Sequence, residues 1–391
     1  PPPPFFFSTP TRASEILSGL VGSEMCIRDS IYIGVMTGTS VDAIDIAALI
    51  ISKDDFRLLN AQSFQFLKIT REKILRIIRN YKVMNQDEIK SLDRELATIY
   101  GDTINEFISS SKIEKKNIVA IGLHGQTILH QPNAINPMSL QIGDGKIVRK
   151  ITGISVVNDF RSEDIRSGGQ GAPLAPIFHN HFFGKTGIKR AVINIGGISN
   201  ISILADEVIG YDIGPGNTLM DIWIKDTKEK NFDEDGQWAK SGNINEKLLV
   251  KFLEDEFINL KPPKSTGTDY FNISWINQKL KEVDNQISSS DIQRTLAELT
   301  ALIIARTINT ENGLNEVAVC GGGSGNKFLM QLVQNHSHFK IHQTNQWGMD
   351  SNWVESSGFA YLAYLRINNF ALDLSKITGS KGRVKLGKIR N

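Results

Sequence analysis

Short apolar runs alternate with stretches of helical periodicity along most of the chain. The apolar runs predict strands at 31–36, 43–51, 118–123, 154–157, 191–195 and 316–320. Apolar residues at helical spacing predict helices at 86–111, 291–309 and 355–367, and Asp291 is expected to be the N-cap of the second. Strands that alternate with helices indicate an α/β protein. The last helix is expected to return to the first half of the chain.

Three of the predicted strands end in glycine turns, at 38–40, 196–197 and 321–323. A residue without a Cβ lets the backbone approach a phosphate group or a nucleoside ring, and backbone N–H groups and hydroxyls suit phosphate oxygens. Three such turns therefore favour nucleotide binding. None is a Walker A loop and no strand carries G-x-G-x-x-G, so a P-loop NTPase and a Rossmann dehydrogenase are both disfavoured.

The second turn repeats the arrangement around the first: a strand, a glycine turn, a hydroxyl and another strand. A repeat of this kind predicts two related halves. The first domain is expected at 31–189, rejoined by 355–391, and the second domain at 190–354. This layout resembles the actin, hexokinase and Hsp70 superfamily. The resemblance implies two ribonuclease H-like halves with ATP in the cleft between them.

Residues 1–30 differ in character from the rest of the chain. They contain a proline run and a phenylalanine run, and they show no clear amphipathic period. No basic segment precedes an apolar one, so they make a poor secretory signal. We interpret them as a non-native or disordered extension and leave them out of the fold prediction.

Composition narrows the class of protein. The chain has 391 residues, of which 40% are hydrophobic, and 44 basic against 42 acidic side chains give a net charge of only +2. This balance gives no reason to expect a nucleic acid or an anionic membrane as partner. Two cysteines are too few for a disulfide framework and indicate a reducing cytoplasm. No segment reaches the roughly 20 apolar residues of a membrane span, and a homodimer remains open.

Eight stretches of the chain carry the motifs of one enzyme family. They are GVMTGTSVDAID (34–45), GLHGQTILHQP (122–132), LQIGDG (140–145), VVNDFRSEDIRSGGQGAPLAP (156–176), INIGGISNIS (193–202), GYDIGPGNTLMDIW (210–223), KSTGTDYFN (264–272) and VCGGGSGN (319–326). Through them the chain resembles the anhydro-N-acetylmuramic acid kinases. The resemblance implies an ATP-dependent enzyme that opens a 1,6-anhydro sugar by adding water at the anomeric carbon. It phosphorylates O6 of that sugar, in the recycling of bacterial cell-wall sugars.

The chain departs from the family pattern at three positions. Thr37 and Ala43 stand where Ser and Gly are more usual, and Arg166 stands where a small residue is common. Thr37 keeps a hydroxyl, and Ala43 is tolerable only at negative φ.

The nucleotide is expected to contact the first turn with its flank and the other two glycine turns. These positions are Gly38, Thr39, Ser40, Val41, Asp42, Ala43, Ile44, Asp45, Gly196, Gly197, Gly321, Gly322 and Gly323. Asp42 is also the expected Mg²⁺-side carboxylate, through water because Mg²⁺ keeps several water ligands. The alternative is that Asp42 only stabilises the turn.

Two acids are expected to carry the chemistry. Asp212 precedes the rigid turn 214–216, and the family resemblance places the catalytic base there; the alternative is that it caps the following helix. The resemblance puts Glu355 in the sugar site, assisting the water or holding a hydroxyl. The alternative is a first-turn Glu favoured by the helix dipole.

The sugar is expected to contact Thr127 and Arg161. Asp159 and Asp164 could instead pair with Arg161 or Arg166 and be purely structural. Two other functions compete with the leading hypothesis: a different sugar kinase of the same superfamily, and a non-catalytic nucleotide switch. The polar motifs at 158–164 and 210–217 disfavour the switch, because it would not need a set of sugar-binding side chains.

Overall fold

The computed structural model describes residues 30–38, 40–53, 55–132, 134–283 and 286–391. Two expectations therefore lie outside the described residues. They are the interpretation of 1–30, apart from Ser30, and the nucleotide contact at Thr39. No helix in the described ranges is long and apolar enough to cross a membrane.

The strands are numbered in chain order: β1 (Ile31–Thr37), β2 (Ala43–Ile51), β3 (Phe56–Gln65), β4 (Ile118–Leu123), β5 (Gln126–Gln131), β6 (Met138–Ile142), β7 (Val156–Asn158), β8 (Arg190–Ile195), β9 (Ile198–Leu204), β10 (Ile209–Pro215), β11 (Glu316–Cys320), β12 (Ile341–Gln343), β13 (Leu372–Asp373), β14 (Arg383–Val384) and β15 (Lys388–Arg390).

The α-helices are numbered in the same way: α1 (Lys68–Asn80), α2 (Gln86–Ser110), α3 (Gly145–Thr152), α4 (Ser162–Arg166), α5 (Ala175–Phe183), α6 (Thr218–Lys228), α7 (Gln237–Ser241), α8 (Glu246–Leu253), α9 (Glu256–Asn259), α10 (Ile273–Lys281), α11 (Ser289–Asn309), α12 (Lys327–His336) and α13 (Val354–Ile367).

The first large sheet has the strand order β15-β7-β4-β1-β2-β3. Strands β1, β2 and β3 form an antiparallel meander, while β4 runs parallel to β1 and β7 runs parallel to β4. The two strands predicted on either side of the first glycine turn therefore pair as an antiparallel hairpin. The C-terminal strand β15 closes the far edge by pairing antiparallel to β7.

The second large sheet has the order β10-β9-β8-β11-β12. Here too the first three strands form an antiparallel meander, and β11 and β12 follow in parallel. Its layout repeats that of β3-β2-β1-β4-β7 in the first sheet. The internal repeat is therefore confirmed, and with it the two ribonuclease H-like halves of the actin- and hexokinase-like fold. The boundaries at 189/190 and 354/355 stay a prediction.

Helix α13 lies directly on the first sheet, as its predicted return to the first half required. Gly34 in β1 and Gly122 in β4 pair side by side beneath it. A Cβ at Gly34 would lie 1.8 Å from the carbonyl oxygen of Ser356, and one at Gly122 would lie 1.9 Å from that of Phe359. Glycine in a strand interior often marks such a close backbone approach. The two glycines thus seat the helix whose first turn carries Glu355.

A hydrophobic core lies between the two sheets. It is formed by apolar side chains of α5 and α13, among them Phe178, Phe182, Phe359 and Leu362, together with Val192 of the second sheet. This shared core joins the two halves at the closed end of the molecule.

The expected N-cap of the long helix α11 was wrong. The helix begins at Ser289, and the Ser288 hydroxyl accepts a hydrogen bond from the Asp291 N–H over 3.1 Å. Asp291 lies in the first turn, and its carboxylate accepts from the Asn243 N–H over 2.7 Å. Both side chains are good caps, and the tertiary contact with Asn243 takes up the Asp291 side chain.

Candidate active site

Arg161 stands at the centre of the candidate site, in the loop between β7 and α4. Its Nη1 donates to the Gly171 carbonyl over 3.1 Å, and its Nη2 donates to His124 Nε2 over 3.1 Å. Burial lowers the pKa of the guanidinium, while the negative charges of Asp212 and Glu355 oppose that shift. Three residues predicted from the sequence, Arg161, Asp212 and Glu355, are therefore brought together.

Asp212 lies in β10 and is only 4% exposed. Its Oδ2 accepts from the Thr266 N–H over 2.9 Å, and its own N–H donates to the Lys264 carbonyl over 3.0 Å. Burial raises the pKa of Asp212 to about 7 against the opposing effects of the Thr266 N–H and the Arg161 and Lys264 cations. The following helix, α6, is preceded by Asn217 and has no side-chain cap. Asp212 therefore does not cap that helix.

Glu355 lies in the first turn of α13. Its Oε1 accepts from Asn194 Nδ2 over 3.2 Å. Burial raises the pKa of Glu355 to about 7, with a further contribution from the Asp45 carboxylate. Asp45 was expected on the nucleotide side, but this interaction puts it beside Glu355, and burial raises its pKa as well. Asp212 and Glu355 thus both have raised pKa values in one site, which is common where acid–base chemistry takes place.

The second and third glycine turns lie against each other. The carbonyl oxygens of Gly196 and Gly197 accept the N–H groups of Asn217 and Thr218 at the start of α6 over 2.9 and 3.1 Å. A Cβ at Gly323 would lie 2.3 Å from Ile195, next to Gly196.

Both turns also offer open backbone. A Cβ built at Gly322 meets nothing within 4 Å, and one built at Gly196 meets nothing closer than 3.5 Å. Gly321 adopts φ 80°, in the left-handed region that favours glycine. The two turns thus form one surface with room for a ligand, as nucleotide binding requires.

The first turn is held by a residue that the sequence analysis missed. Arg71 of α1 donates from Nε to the Val41 carbonyl over 3.1 Å and from Nη2 to the Ser40 carbonyl over 3.1 Å. It also forms an ion pair with Asp42 at 3.0 Å. Gln126 adds a hydrogen bond to the Gly38 carbonyl over 3.4 Å.

The flank of the first turn contributes mainly to the core. The side chains of Val41 and Ile44 are 0% and 2% exposed, and Ala43 begins β2. Only the backbone of these residues is available to a nucleotide. The hydroxyl of Thr37 forms a hydrogen bond with the hydroxyl of Tyr100, with 2.7 Å between the two oxygens.

Asp221 of α6 is a second residue that the sequence analysis missed. Burial raises its pKa to about 7, the negative charges of Asp42 and Asp233 add to the shift, and Arg71 opposes it. In the described ranges the Asp221 carboxylate has no hydrogen-bond or ion-pair partner. Asp221 in α6 is thus near enough to Asp42, which precedes β2, for their charges to interact. Nothing in the local sequence links the two residues, because only the assembled fold brings them near each other.

Within the described ranges, no group of three or more histidine, cysteine or acidic side chains is arranged to hold a metal ion. A cation at Asp42 and Asp221 would therefore need further ligands from water or phosphate, which is the usual situation of Mg²⁺.

Thr127 lies on the β5–β6 hairpin. Its hydroxyl accepts from Gln141 Nε2 over 3.2 Å. On the same hairpin His130 Nε2 lies 3.4 Å from the Ser265 hydroxyl, in the loop that holds Asp212. The hairpin therefore contacts the loop that holds Asp212. Burial lowers the pKa of His130 to about 3, and the Arg161 charge adds to that shift.

Among the described residues neither Asp159 nor Asp164 forms the ion pair with an arginine that was the alternative, although burial raises the pKa of Asp164 and the Arg161 charge opposes that shift. Asp159 forms an ion pair with Lys388 at 2.6 Å. Asp164 accepts from the Thr378 hydroxyl over 2.6 Å, and Arg166 pairs with Glu163. C-terminal residues supply Lys388 and Thr378, so the partners are distant in sequence. The structural role proposed for both aspartates is retained.

Sequence relatives match almost the whole chain. The family model described as anhydro-N-acetylmuramic acid kinase matches residues 30–391. A protein of that name from Pasteurella multocida is 42% identical over 92% of this chain and 96% of its own length. One from Haemophilus influenzae is 40% identical over 93% of this chain and 98% of its own length.

Solved structures are more distant. A ROK family glucokinase from Streptomyces griseus in complex with glucose and AMPPNP is 14% identical, covers 85% of this chain and 98% of that chain, and has a TM-score of 0.38. The family assignment therefore rests on the sequence relatives. By their identity and coverage, and by the family model that matches the chain from residue 30 to its end, the protein belongs to the anhydro-N-acetylmuramic acid kinase family.

Proposed function

We propose that this protein is an ATP-dependent kinase that opens the ring of 1,6-anhydro-N-acetylmuramic acid with water and phosphorylates O6. The products are N-acetylmuramic acid 6-phosphate and ADP, in the recycling of cell-wall sugars. The observation that supports this most is the acid pair Asp212 and Glu355, supplied by opposite domains around Arg161 and both with a pKa raised to about 7.

Asp212 is the proposed general base. Ionised, it takes a proton from water, whose oxygen forms the new bond to the anomeric carbon as the bond between that carbon and O6 breaks. O6 then bonds to the γ-phosphorus of ATP, and the bond from that phosphorus to ADP breaks. A base with a pKa near the working pH is best suited to such a transfer. The Thr266 N–H fixes one oxygen of Asp212 and leaves the other for the water.

Glu355 and Arg161 are proposed to hold the sugar. Glu355 is anchored by Asn194 at one oxygen, so its second oxygen is available to a sugar hydroxyl or to the attacking water. Arg161 provides a fixed positive charge near the two acids. This charge opposes the rise in their pKa values and so favours their ionised forms. Thr127 is proposed to contact the sugar from the β5–β6 hairpin.

The three glycine turns are proposed to hold the nucleotide. Gly38 and Ser40 of the first turn and Gly196 and Gly197 of the second flank the cleft where the phosphates would lie, and Gly321–Gly323 would carry the adenosine. Bound Mg²⁺ neutralises phosphate charge during phosphoryl transfer. Asp42 and Asp221 fit it, because a divalent cation would relieve the repulsion between the two carboxylates. ATP as donor and the reduced, buried Cys320 fit a cytoplasmic enzyme.

The test is the release of ADP with the anhydro sugar, beside the same assay with N-acetylmuramic acid. We expect turnover of the anhydro sugar, and in ¹⁸O-labelled water we expect the label at the anomeric carbon of the phosphorylated product. A well-folded protein that phosphorylates only the hydrated sugar would be a different sugar kinase. A protein that binds ATP but turns over neither sugar would favour the nucleotide switch.

A further inference from the structure

A polar cavity of about 360 Å³ adjoins the site at the carboxyl ends of β4 and β7. His124 forms part of its wall and contacts Arg161 at 3.1 Å, so the cavity is next to the acid pair. Its volume lies in the range of about 300–1,000 Å³ found for small-molecule sites. None of the reaction steps proposed above uses this cavity.

Three carboxylates line the cavity, and each has at least one partner within the protein. Asp93 accepts from the Gly143 N–H over 2.6 Å, and Asp144 accepts from the Lys146 N–H at the start of α3 over 2.8 Å. Asp159 is paired with Lys388 at 2.6 Å. Each of these carboxylates is therefore held by a protein donor, and the Asp159 charge is offset by Lys388.

Two cations in the same wall are not satisfied. Arg390 of β15 donates from Nε to Asn158 Oδ1 over 3.0 Å, but in the described ranges its terminal nitrogens have no partner. The Lys146 ammonium likewise has neither a hydrogen-bond nor an ion-pair partner among those residues. The unpartnered groups of the wall thus include two positively charged donors, which suit a carboxylate, beside the buried His124 Nδ1.

We propose that this cavity is a carboxylate subsite, in which Lys146 and Arg390 bind the lactyl carboxylate of the muramic sugar while its anhydro ring lies beside Arg161. The proposal rests on the proposed function. It gives the two cations a role in substrate selection: they distinguish a muramic sugar from the glucosamine sugar that has a hydroxyl in place of the lactyl ether. The bonds that react are not involved.

The test compares 1,6-anhydro-N-acetylmuramic acid with 1,6-anhydro-N-acetylglucosamine. The variants are Lys146→Gln, Arg390→Gln and the double variant, with Lys150→Gln on the exposed side of α3 as the matched control. We expect the wild type to prefer the carboxylate sugar in kcat/KM. In the double variant that preference should fall about 10- to 100-fold, the effect of a charge-assisted hydrogen bond. The fall should come through KM for the carboxylate sugar, with the neutral sugar unaffected.

Two outcomes would overturn the subsite: an equal loss on both sugars, or an unchanged preference in the double variant. Arg390→Lys keeps the charge and should restore most of the preference, which separates recognition from any damage to β15. Calorimetric titration with each sugar gives the same comparison without turnover. If the wild type turns over neither sugar, the proposed function fails. The subsite is then tested by calorimetric binding alone, and equal affinity for the two sugars would overturn it.

Discussion

Asn194 donates a hydrogen bond to Glu355 over 3.2 Å, from the second sheet to the helix that lies on the first. Asn194 is in β8 and immediately precedes the strand end that carries the second glycine turn. Glu355 is therefore connected to the proposed phosphate-binding surface by a side chain only two residues from Gly196. The contact links the sugar side of the site to its nucleotide side.

Asp212→Asn should abolish most turnover. Loss of a general base typically lowers kcat about 10²–10⁴-fold, and Asn keeps the acceptor for the Thr266 N–H, so ATP affinity should stay near that of the wild type. Steady-state ADP release and calorimetric ATP titration measure the two effects. Asp226→Asn, on the exposed part of α6, is the control. A kcat within tenfold of the wild type would remove Asp212 as the base.

The pH profile should follow the ionisation of Asp212. Because a base acts in its ionised form and the pKa of Asp212 is raised to about 7, kcat/KM should rise with pH up to about 7 and level off above it. Initial rates between pH 5 and 9 test this. A rate already constant from about pH 5 upward would mean that no group with a pKa near 7 controls the reaction.

The same ionisation should cost stability. The folded protein holds the Asp212 proton up to about pH 7, whereas an unfolded chain loses it near the ordinary value of 3.8. Stability contributed by this group is therefore lost as pH rises from about 4 through 7. Asp212→Asn should consequently melt at least about 2 °C higher than the wild type at pH 8, with the difference shrinking towards pH 5. Equal melting temperatures at pH 8 would contradict the raised pKa.

Asp221→Asn should weaken the response to Mg²⁺. If Asp42 and Asp221 both face the ion, loss of one should raise the Mg²⁺ concentration for half-maximal ATP binding about tenfold or more. Calorimetric ATP titration at fixed Mg²⁺ concentrations measures this without turnover. In metal-free buffer at pH 8 the variant should be more stable than the wild type, because it no longer buries an ionised carboxylate and no longer repels Asp42 and Asp233. An unchanged Mg²⁺ midpoint would place the ion elsewhere, and Asp226→Asn again serves as control.

Gly34→Ala should destabilise the first domain severely. The added Cβ would lie 1.8 Å from the backbone oxygen of Ser356, so α13 must move off the sheet. We expect a loss of at least about 3 kcal/mol in the free energy of unfolding, the upper range for overpacking. Thermal melting measures it. Gly325→Ala, whose Cβ meets nothing within 4 Å, should melt close to the wild type.

Periodicity predicted the elements well where the core was extensive. Residues 86–111 and 291–309 were predicted as helices and form α2 and α11 within a residue or two, because many buried apolar side chains mark one face of each. The N-cap Ser288 was missed, since two good caps stand three residues apart and a tertiary contact decides between them. The local sequence pattern carries no information about that contact, because Asn243 is 48 residues away from Asp291.

The site was predictable only in part, for a related reason. The glycine turns and Asp212 sit in short motifs that are visible in one stretch of sequence. Arg71 and Asp221 do not, because each interacts with a residue on another element. Arg71 reaches the first turn from α1, and the charge of Asp42 acts on Asp221 in α6. Their roles exist only once the sheets are assembled.

The close packing of α13 on Gly34 and Gly122 has a mechanical consequence. It fixes Glu355 rigidly to the first sheet, while Asp212 is built into the second. If the two sheets move as rigid bodies, the spacing of the two carboxyl groups should change with the angle between the sheets. We therefore expect an open cleft to separate the two proposed catalytic acids, so that ATP bound without sugar is not hydrolysed.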